Sequence, residues 1–181
     1  MIECVILDTG PLISAFQSDA IPVLRRLISK TYTGPVCLEE LKRLGWVAEI
    51  ETMMRDGFLT ISDLNEAEKT RARIIANEVA RCSQNKDPAV HEGESEVIAM
   101  ALGTESRGYL VLLDERAARS VALGEGVRVT GFPGLLILAA QLRLLEPEHV
   151  REMLQQCREQ GTHYSEKLIE FAHKKAKEVS V

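Results

Sequence analysis

The chain has 181 residues, of which 45% are hydrophobic and 27% are charged, a composition typical of one globular domain with a substantial core. Aromatic residues make up only 4%, which disfavours a stacking platform for single-stranded bases. The net charge of −5 argues against a protein that holds nucleic acid passively through its phosphates. It leaves a nuclease open, because metal ions can screen clustered carboxylates and face the phosphate.

Cysteine usage and hydropathy indicate the compartment. The cysteines are widely spaced without a C-x-x-C pair, which disfavours a zinc site or a redox dithiol. We expect free, buried thiols in a reducing compartment at Cys4, Cys37, Cys82 and Cys157. No apolar run reaches membrane-spanning length, and no basic region precedes the apolar stretch at the N-terminus. A cytoplasmic protein without membrane association is therefore expected.

The first half of the chain predicts strands and helices in alternation. An apolar run at 4–7 is typical of a buried parallel strand and ends at Asp8. Phe58 to Ile61 also has the pattern of a short strand. Apolar residues at helical spacing predict the helices of this half, which begin near residue 12 and cover about 20–30, 38–54 and 65–81.

The second half continues the alternation. The polar segment 83–91 is predicted as a loop, and the strands are expected at 109–113 and 127–129. Helices are predicted at 94–102, 115–123 and 131–145, with two amphipathic helices separated by Gly161 in 147–179. Strands that alternate with helices favour an α/β domain in which helices cover both faces of a parallel sheet. Ligands of such sheets lie beyond the carboxyl ends of the strands.

Two aspartates stand at that position. Asp8 and Asp114 each follow an apolar strand directly, so their carboxylates would lie close together if the strands were neighbours. Mutual repulsion would then favour a cation or a proton between them. The alternative is that each Asp caps the first turn of the following helix.

Pairs of glutamates open two helices. Glu94 and Glu96 lie two residues apart and point to different faces, so the helix dipole explains one of them better than both. Glu39 and Glu40 begin another helix, where the dipole is again the simpler explanation. Carboxylates from several segments suit Mg²⁺ or Mn²⁺. His91 lies near Glu94, but a histidine in a polar loop is expected to be solvated rather than a ligand.

Four segments together resemble the PIN-domain nucleases. Val-Ile-Leu-Asp-Thr-Gly-Pro-Leu-Ile at 5–13 is similar to their opening strand, and Leu-Glu-Glu-Leu at 38–41 to their second acidic motif. Gly-Glu-Ser-Glu-Val-Ile-Ala-Met-Ala-Leu at 93–102 resembles the third. Leu-Leu-Asp-Glu-Arg-Ala-Ala-Arg at 112–119, with Val-Thr-Gly at 129–131, resembles the fourth. The likeness is to a prokaryotic subfamily with a Gly-Glu-x-Glu third motif. The segment Gly-Thr-His-Tyr-Ser-Glu-Lys-Leu at 161–168 also resembles the tail of that subfamily.

The resemblance implies a three-layer α/β/α domain with a mostly parallel central sheet. The PIN-like domain would span 1–145, and 146–181 would be a C-terminal helical extension of it. The implied activity is that of an Mg²⁺- or Mn²⁺-dependent endoribonuclease, a toxin of a type II toxin–antitoxin pair. RNA would be its substrate, and an antitoxin and a second copy of the chain its partners. Matched motif by motif, the implied catalytic acids are Asp8, Glu40, Glu96 and Asp114.

The implied metal ligands are Asp8, Glu94, Glu96 and Asp114, where Glu94 is the extra acid of the subfamily. The third acid is Glu instead of the commoner Asp, and Asp114-Glu115-Arg116 replaces the usual Thr-x-Asp, so the metal-binding group there stays open. Three further residues are expected to assist by holding an acid, neutralising it or contacting RNA: Thr9, Arg116 and Arg119. The two arginines could equally lie on a solvated helix face.

Two other functions compete with the nuclease. The first is a PIN-like module that binds an antitoxin or RNA with little or no cleavage, in which the acids are mainly structural. The second is a phosphoryl-transfer or receiver-type domain, which also gathers acids at strand ends. It is disfavoured because Asp8 lacks the second Asp, two residues later, of a haloacid-dehalogenase-type phosphatase.

Overall fold

The computed structural model describes residues 1–178. Within them the β-strands are β1 (Ile2–Leu7), β2 (Ile28–Thr33), β3 (Leu59–Ile61), β4 (Leu110–Leu112) and β5 (Arg128–Thr130). The first five α-helices are α1 (Thr9–Gln17), α2 (Ile21–Leu27), α3 (Pro35–Arg43), α4 (Val47–Arg55) and α5 (Glu66–Cys82). The others are α6 (Glu92–Leu102), α7 (Arg116–Gly124), α8 (Phe132–Gln141), α9 (Pro147–Glu159) and α10 (Glu166–Lys177). A 3-10 turn, Pro88–His91, precedes α6.

The strands form one sheet in the order β3-β2-β1-β4-β5, and every pairing is parallel. Strand β1 is central, since Val5 pairs with Thr31 of β2 and with Leu110 of β4. The chain adds β2 and β3 on one side of β1 and then returns to add β4 and β5 on the other. The strand order therefore reverses between β1 and β4, which is where open α/β sheets bind ligands.

Helices cover both faces of this sheet and make three layers. Side chains of β1 alternate between the faces, so Val5 and Leu7 join the core under α1, α8, α9 and α10, whereas Ile6 joins the core under α5, α6 and α7. All three side chains are essentially inaccessible to solvent. The predicted α/β/α fold is confirmed, because continuous apolar strands need cover on both sides.

Strand β2 was not predicted. Its residues belong in part to the segment 20–30 that was expected to be helical, whereas the helix ends at Leu27 and the strand begins at the next residue. The prediction was wrong because the apolar residues of α2 keep helical spacing up to Ile28, and β2 itself is polar. Its buried side chains include two threonines, whose hydroxyls donate to backbone carbonyls: Thr31 to Phe58 at 2.6 Å and Thr33 to Leu7 at 2.7 Å.

Two further predictions needed correction. The segment 38–54, expected as one helix, is divided into α3 and α4, because Gly45 adopts a φ of +93° that a helix does not allow. The cysteines were expected to be buried thiols. All are free, but Cys82 is exposed at the end of α5 and Cys4 is only partly buried.

The C-terminal helices α9 and α10 pack against α8 and against each other, and they share the core on the α1 face. Residues 179–181, the end of the predicted extension, lie outside the described residues. Among the helices of residues 1–178, none combines the length and the apolar character needed to cross a membrane.

Candidate functional site

Asp8 lies at the carboxyl end of the central strand and begins helix α1. Its carboxylate accepts a hydrogen bond from the amide of Gly10 at 3.4 Å, so it is the N-cap of that helix. Its own amide donates to the carbonyl of Leu112 at 3.1 Å, which continues the ladder between β1 and β4. Only 7% of Asp8 is exposed. The capping role considered from the sequence is therefore real, but it coexists with a buried position at the sheet edge.

Burial makes Asp8 electrostatically unusual. Desolvation raises its pKa from 3.8 to about 8, and the charges of Glu94 and Glu40 add to the rise. The thiol of Cys37 lies 3.6 Å from its Oδ1 atom, and burial together with the charge of Asp8 raises the pKa of that thiol. The carboxyl group is thus held where its negative charge is costly unless a proton or a cation accompanies it.

Glu40 faces the same small space as Asp8. A Cβ atom built on Gly93 would lie 3.7 Å from Asp8 Oδ1 and 3.9 Å from Glu40 Oε2, so both carboxylates point at the gap that the glycine leaves. Glu39 lies at the rim, where its side chain is 70% exposed and pairs with Lys42 at 2.8 Å. Glu39 and Glu40 were expected to begin a helix, but both lie beyond the first turn of α3, so the helix dipole does not explain them. Of these two acids, Glu40 is the one that faces Asp8.

Glu94, in the first turn of α6, also belongs to this group. Its side chain is only 18% exposed. Burial raises its pKa, and the charges of Glu115 and Glu40 act in the same direction. Because Glu94 in turn raises the pKa of Asp8, the two carboxylates share one electrostatic environment.

His91 stands behind Glu94 and was expected to be solvated, which was wrong. The residue is 3% exposed, because the segment before α6 folds into a 3-10 turn instead of an open loop. Its Nε2 atom lies 3.1 Å from the carbonyl of Asn85, and its Nδ1 atom lies 4.0 Å from Glu94 Oε1. A carbonyl only accepts, so Nε2 carries the proton and Nδ1 faces Glu94.

Glu96 is not brought to this cleft. Its Oε2 atom accepts a hydrogen bond from the amide of Val36 at 3.0 Å, and its side chain covers Gly34 at the start of α3. It lines a separate cavity of about 280 Å³ beside α5. Burial raises its pKa, while the bond from Val36 lowers it. Residues two apart on a helix point to different faces, and it is Glu94 that points to Asp8.

Asp114 follows β4 on the other side of Asp8. A Cβ atom on Gly10 would lie 3.7 Å from Asp8 Oδ2 and 3.9 Å from Asp114 Cβ, so the two aspartates flank one glycine. Asp114 Oδ1 accepts from the amide of Phe132 at 2.8 Å, and Oδ2 accepts from the hydroxyl of Tyr164 at 2.7 Å. Burial raises the pKa of Asp114, and these two bonds oppose that rise.

The secondary residues fall into different environments. Thr9 is 5% exposed, and within residues 1–178 its Oγ1 atom has no hydrogen-bond partner. The positive charge of Arg119 lowers the pKa of Asp114. Arg116 is exposed on α7, as expected for a solvated helix face. Glu115 caps the first turn of α7 through the amide of Ala118 and also lines the cleft, so both Asp114 and Glu115 stand at this strand end.

Three residues at the site were missed from the sequence. Tyr164 arrives from a loop fifty residues beyond Asp114, and the only signal for it was the likeness of its segment to the subfamily's tail. Cys37 looked like a core thiol. Gly93 matters for the side chain that it lacks, which no spacing rule detects.

The cleft as a whole has a volume of about 990 Å³ and is strongly acidic. Among the residues that the structure describes, seven carboxylates and one arginine line it. The acidic residues are Asp8, Glu39, Glu40, Glu92, Glu94, Asp114 and Glu115. In the described residues 1–178, no three His, Cys, Asp or Glu side chains already stand in ligating positions. The donor set nevertheless suits a hard divalent cation, since Asp8 and Glu40 face a gap beside Gly93 and Thr9 has an unsatisfied buried hydroxyl.

The raised pKa of Asp8 predicts that stability falls as pH rises. Its folded pKa, about 8, exceeds the ordinary value of 3.8, so the folded chain binds more protons between these limits. The free energy of unfolding should therefore decrease from about pH 4 to pH 8 in the absence of divalent metal, and less steeply in Asp8→Asn. Urea unfolding in a chelator at several pH values measures this, with Glu39→Gln as a control on the exposed rim. Equal slopes for wild type and Asp8→Asn would contradict it.

The position of Glu96 predicts a structural phenotype. Glu96→Ala leaves the amide of Val36 without its acceptor and should lower the free energy of unfolding by about 1 kcal/mol. Glu96→Gln retains an acceptor oxygen and should lower the free energy of unfolding by less.

Glu94→Gln should weaken Mn²⁺ binding more than Glu96→Gln does, because of these two residues only Glu94 lines the acidic cleft. Denaturant titration and calorimetry measure the two effects, and stronger metal loss in Glu96→Gln would reverse the assignment.

Comparison with known families agrees with this geometry. A family model described as a PIN domain matches residues 4–178, which is nearly the whole chain. No curated protein matches the sequence. PIN domains are in general nucleases that use divalent metal ions. The fold, the switch point between β1 and β4 and the family match lead to one conclusion: this chain belongs to the PIN-domain family.

Proposed function

We propose that this protein is a metal-dependent endoribonuclease that hydrolyses phosphodiester bonds of RNA in the cleft beyond β1 and β4. The observation that carries the proposal is the convergence of Asp8 and Glu40 on the gap beside Gly93, where the negative charge of Glu94 also acts on the buried aspartate. An acidic cleft of this kind repels a phosphodiester unless cations enter with it. The RNA specificity is supported by the likeness of four motifs to the prokaryotic PIN subfamily.

The proposed ligands are Asp8, Glu40, Glu94 and Asp114 for Mg²⁺ or Mn²⁺. When bound, such an ion supplies positive charge that activates water and offsets the charge of the phosphate. The protein holds the ligand oxygens: α1 fixes Asp8, and the start of α8 fixes Asp114. Glu96, which the resemblance matched to the third acid, acts outside the cleft. It accepts a hydrogen bond from the first turn of α3, the helix that carries Glu40.

Thr9 has a proposed role toward the substrate. Its hydroxyl is buried and unsatisfied within residues 1–178, and the residue itself lines the cleft beside Asp8. Such a group gains a hydrogen bond when a phosphate oxygen or a water enters. Arg43, the only arginine of residues 1–178 that lines the cleft, stands at its mouth with a 77% exposed side chain and can approach the RNA backbone.

The biological role that we propose is that of a toxin of a type II toxin–antitoxin pair, acting in the cytoplasm. An antitoxin protein and a second copy of the chain are the proposed partners. These proposals rest on the resemblance of the acidic motifs and of the tail at 161–168 to that subfamily.

A second candidate function is a PIN-like module that binds RNA or an antitoxin with little cleavage. One observation favours it: both oxygens of Asp114 already accept hydrogen bonds, from Phe132 and Tyr164. If those bonds occupied every lone pair of the carboxylate, Asp114 would have only a structural role. A carboxylate has about four lone-pair sites, so two remain for a metal and the nuclease is the better-supported function.

Removing the central carboxylate tests the nuclease. Asp8→Asn keeps the size of the side chain and an oxygen that can cap α1, but it removes the negative charge at the centre of the cleft. We expect RNA cleavage in Mn²⁺ to fall by at least about a hundredfold, since charge stabilisation at the reacting phosphate is lost. A gel assay on labelled RNA measures the rate, and Glu39→Gln serves as the matched acid at the rim. Equal cleavage by wild type and Asp8→Asn would favour the binding module.

Filling the gap beside Gly93 tests the metal position. Gly93→Ala adds a methyl group between Asp8 and Glu40 at ordinary contact distances. The closest neighbour of the new Cβ atom would be Cys37 Sγ, at 3.4 Å. In a helix the change should preserve or increase stability. We nevertheless expect weaker Mn²⁺ binding and slower cleavage. Gly124→Ala is the control, because a Cβ there meets nothing within 4 Å. Unchanged metal affinity in Gly93→Ala would place the ion elsewhere.

A further inference from the structure

Tyr164 links the C-terminal extension to the acidic cleft. Its hydroxyl lies 2.7 Å from Asp114 Oδ2, to which it donates, and 2.8 Å from Ser14 Oγ. The residue is 6% exposed and Ser14 is fully buried. Because the phenol proton is directed to the carboxylate, the hydroxyl of Ser14 is the donor in the second bond.

The loop that carries Tyr164 is fastened to helix α1 independently of that bond. The side chain of Gln160 donates to the carbonyl of Gln17 at 2.7 Å, and the side chain of Gln17 donates back to the carbonyl of Gln160 at 3.2 Å. The hydroxyl of Thr162 donates to Gln17 Oε1 at 2.6 Å. The thiol of Cys157 lies 3.2 Å from the carbonyl of Ser14. These contacts fix the loop between α9 and α10 on the helix that Asp8 begins.

The two bonds to Asp114 come from opposite sides of the site. The amide of Phe132 at the start of α8 holds Oδ1, and the extension holds Oδ2 through Tyr164. A carboxylate with both oxygens held cannot rotate freely, so its remaining lone pairs keep one direction relative to Asp8. Groups that orient a metal ligand in this way commonly change metal affinity by about 10- to 100-fold when they are removed.

We propose that Tyr164 is a positioning residue that orients Asp114 for the metal, and that the C-terminal extension thereby completes the cleft. The inference rests on the proposed metal-dependent function and adds to it a residue that touches neither the metal nor the RNA. It assigns the extension a role in metal binding, in addition to its share of the core.

The test compares Tyr164→Phe with wild type in the full chain. The variant removes one oxygen atom and retains the ring. We expect Mn²⁺, measured by titration calorimetry, to bind about 10-fold more weakly, and we expect excess Mn²⁺ to restore most of the cleavage rate. Tyr109→Phe is the matched control, because that tyrosine stacks on Tyr32, away from the cleft. Thermal unfolding of each variant separates a loss of stability from a loss of affinity.

The outcomes distinguish this inference from the proposed function. If Asp8→Asn abolishes Mn²⁺ binding while Tyr164→Phe binds as wild type does, Tyr164 is merely structural and the inference fails alone. If wild type itself binds no Mn²⁺, the proposed function fails and the inference with it. Should Tyr164→Phe not fold in buffer, it and wild type are both measured in sucrose, which favours the folded state because it is excluded from the protein surface. A weaker Mn²⁺ affinity there supports the inference, and an unchanged affinity overturns it.

Discussion

The burial of Asp8 beside Glu94 and Glu40 is the constraint on which the rest of the site depends. The carboxylate stands at the end of the central strand, where the strand order reverses and neighbouring helices close over it. Water that would solvate its charge is largely excluded, and the other carboxylates add repulsion. A protein that keeps several acids in such a place is less stable when they are ionised than it would be with apolar residues. The proposed binding of a cation would offset this repulsion.

Several parts of the fold limit that cost. The first turn of α1 gives Asp8 a backbone donor, and the start of α8 gives one to Asp114. The tyrosine of the C-terminal extension adds a second donor to Asp114, so a segment far along the chain contacts a residue of the cleft. Glu96 acts indirectly, by capping the helix that presents Glu40. The acidic residues therefore divide into those that face the cleft and one that supports it.

Several features could be predicted from the sequence for a local reason. The continuous apolar run before Asp8 is typical of a strand buried on both faces, and the same holds for the run before Asp114. Strand β2 could not be predicted in this way, because its buried positions include threonines that satisfy their hydroxyls on neighbouring strands. That pairing exists only once the sheet is assembled. His91 was misjudged for a similar reason, since a 3-10 turn buries it.

The sequence by itself determined the layered fold and the two aspartates at strand ends, because hydrophobic periodicity and the chain direction of parallel strands are local properties. It also supplied Glu40 through the likeness of its motif. Only the tertiary structure decided between Glu94 and Glu96, since the choice depends on how α6 is rotated against α3. Only the tertiary structure brought Tyr164 to Asp114 and left a gap at Gly93. Those features come from contacts between segments distant in the chain, and no spacing along the sequence encodes them.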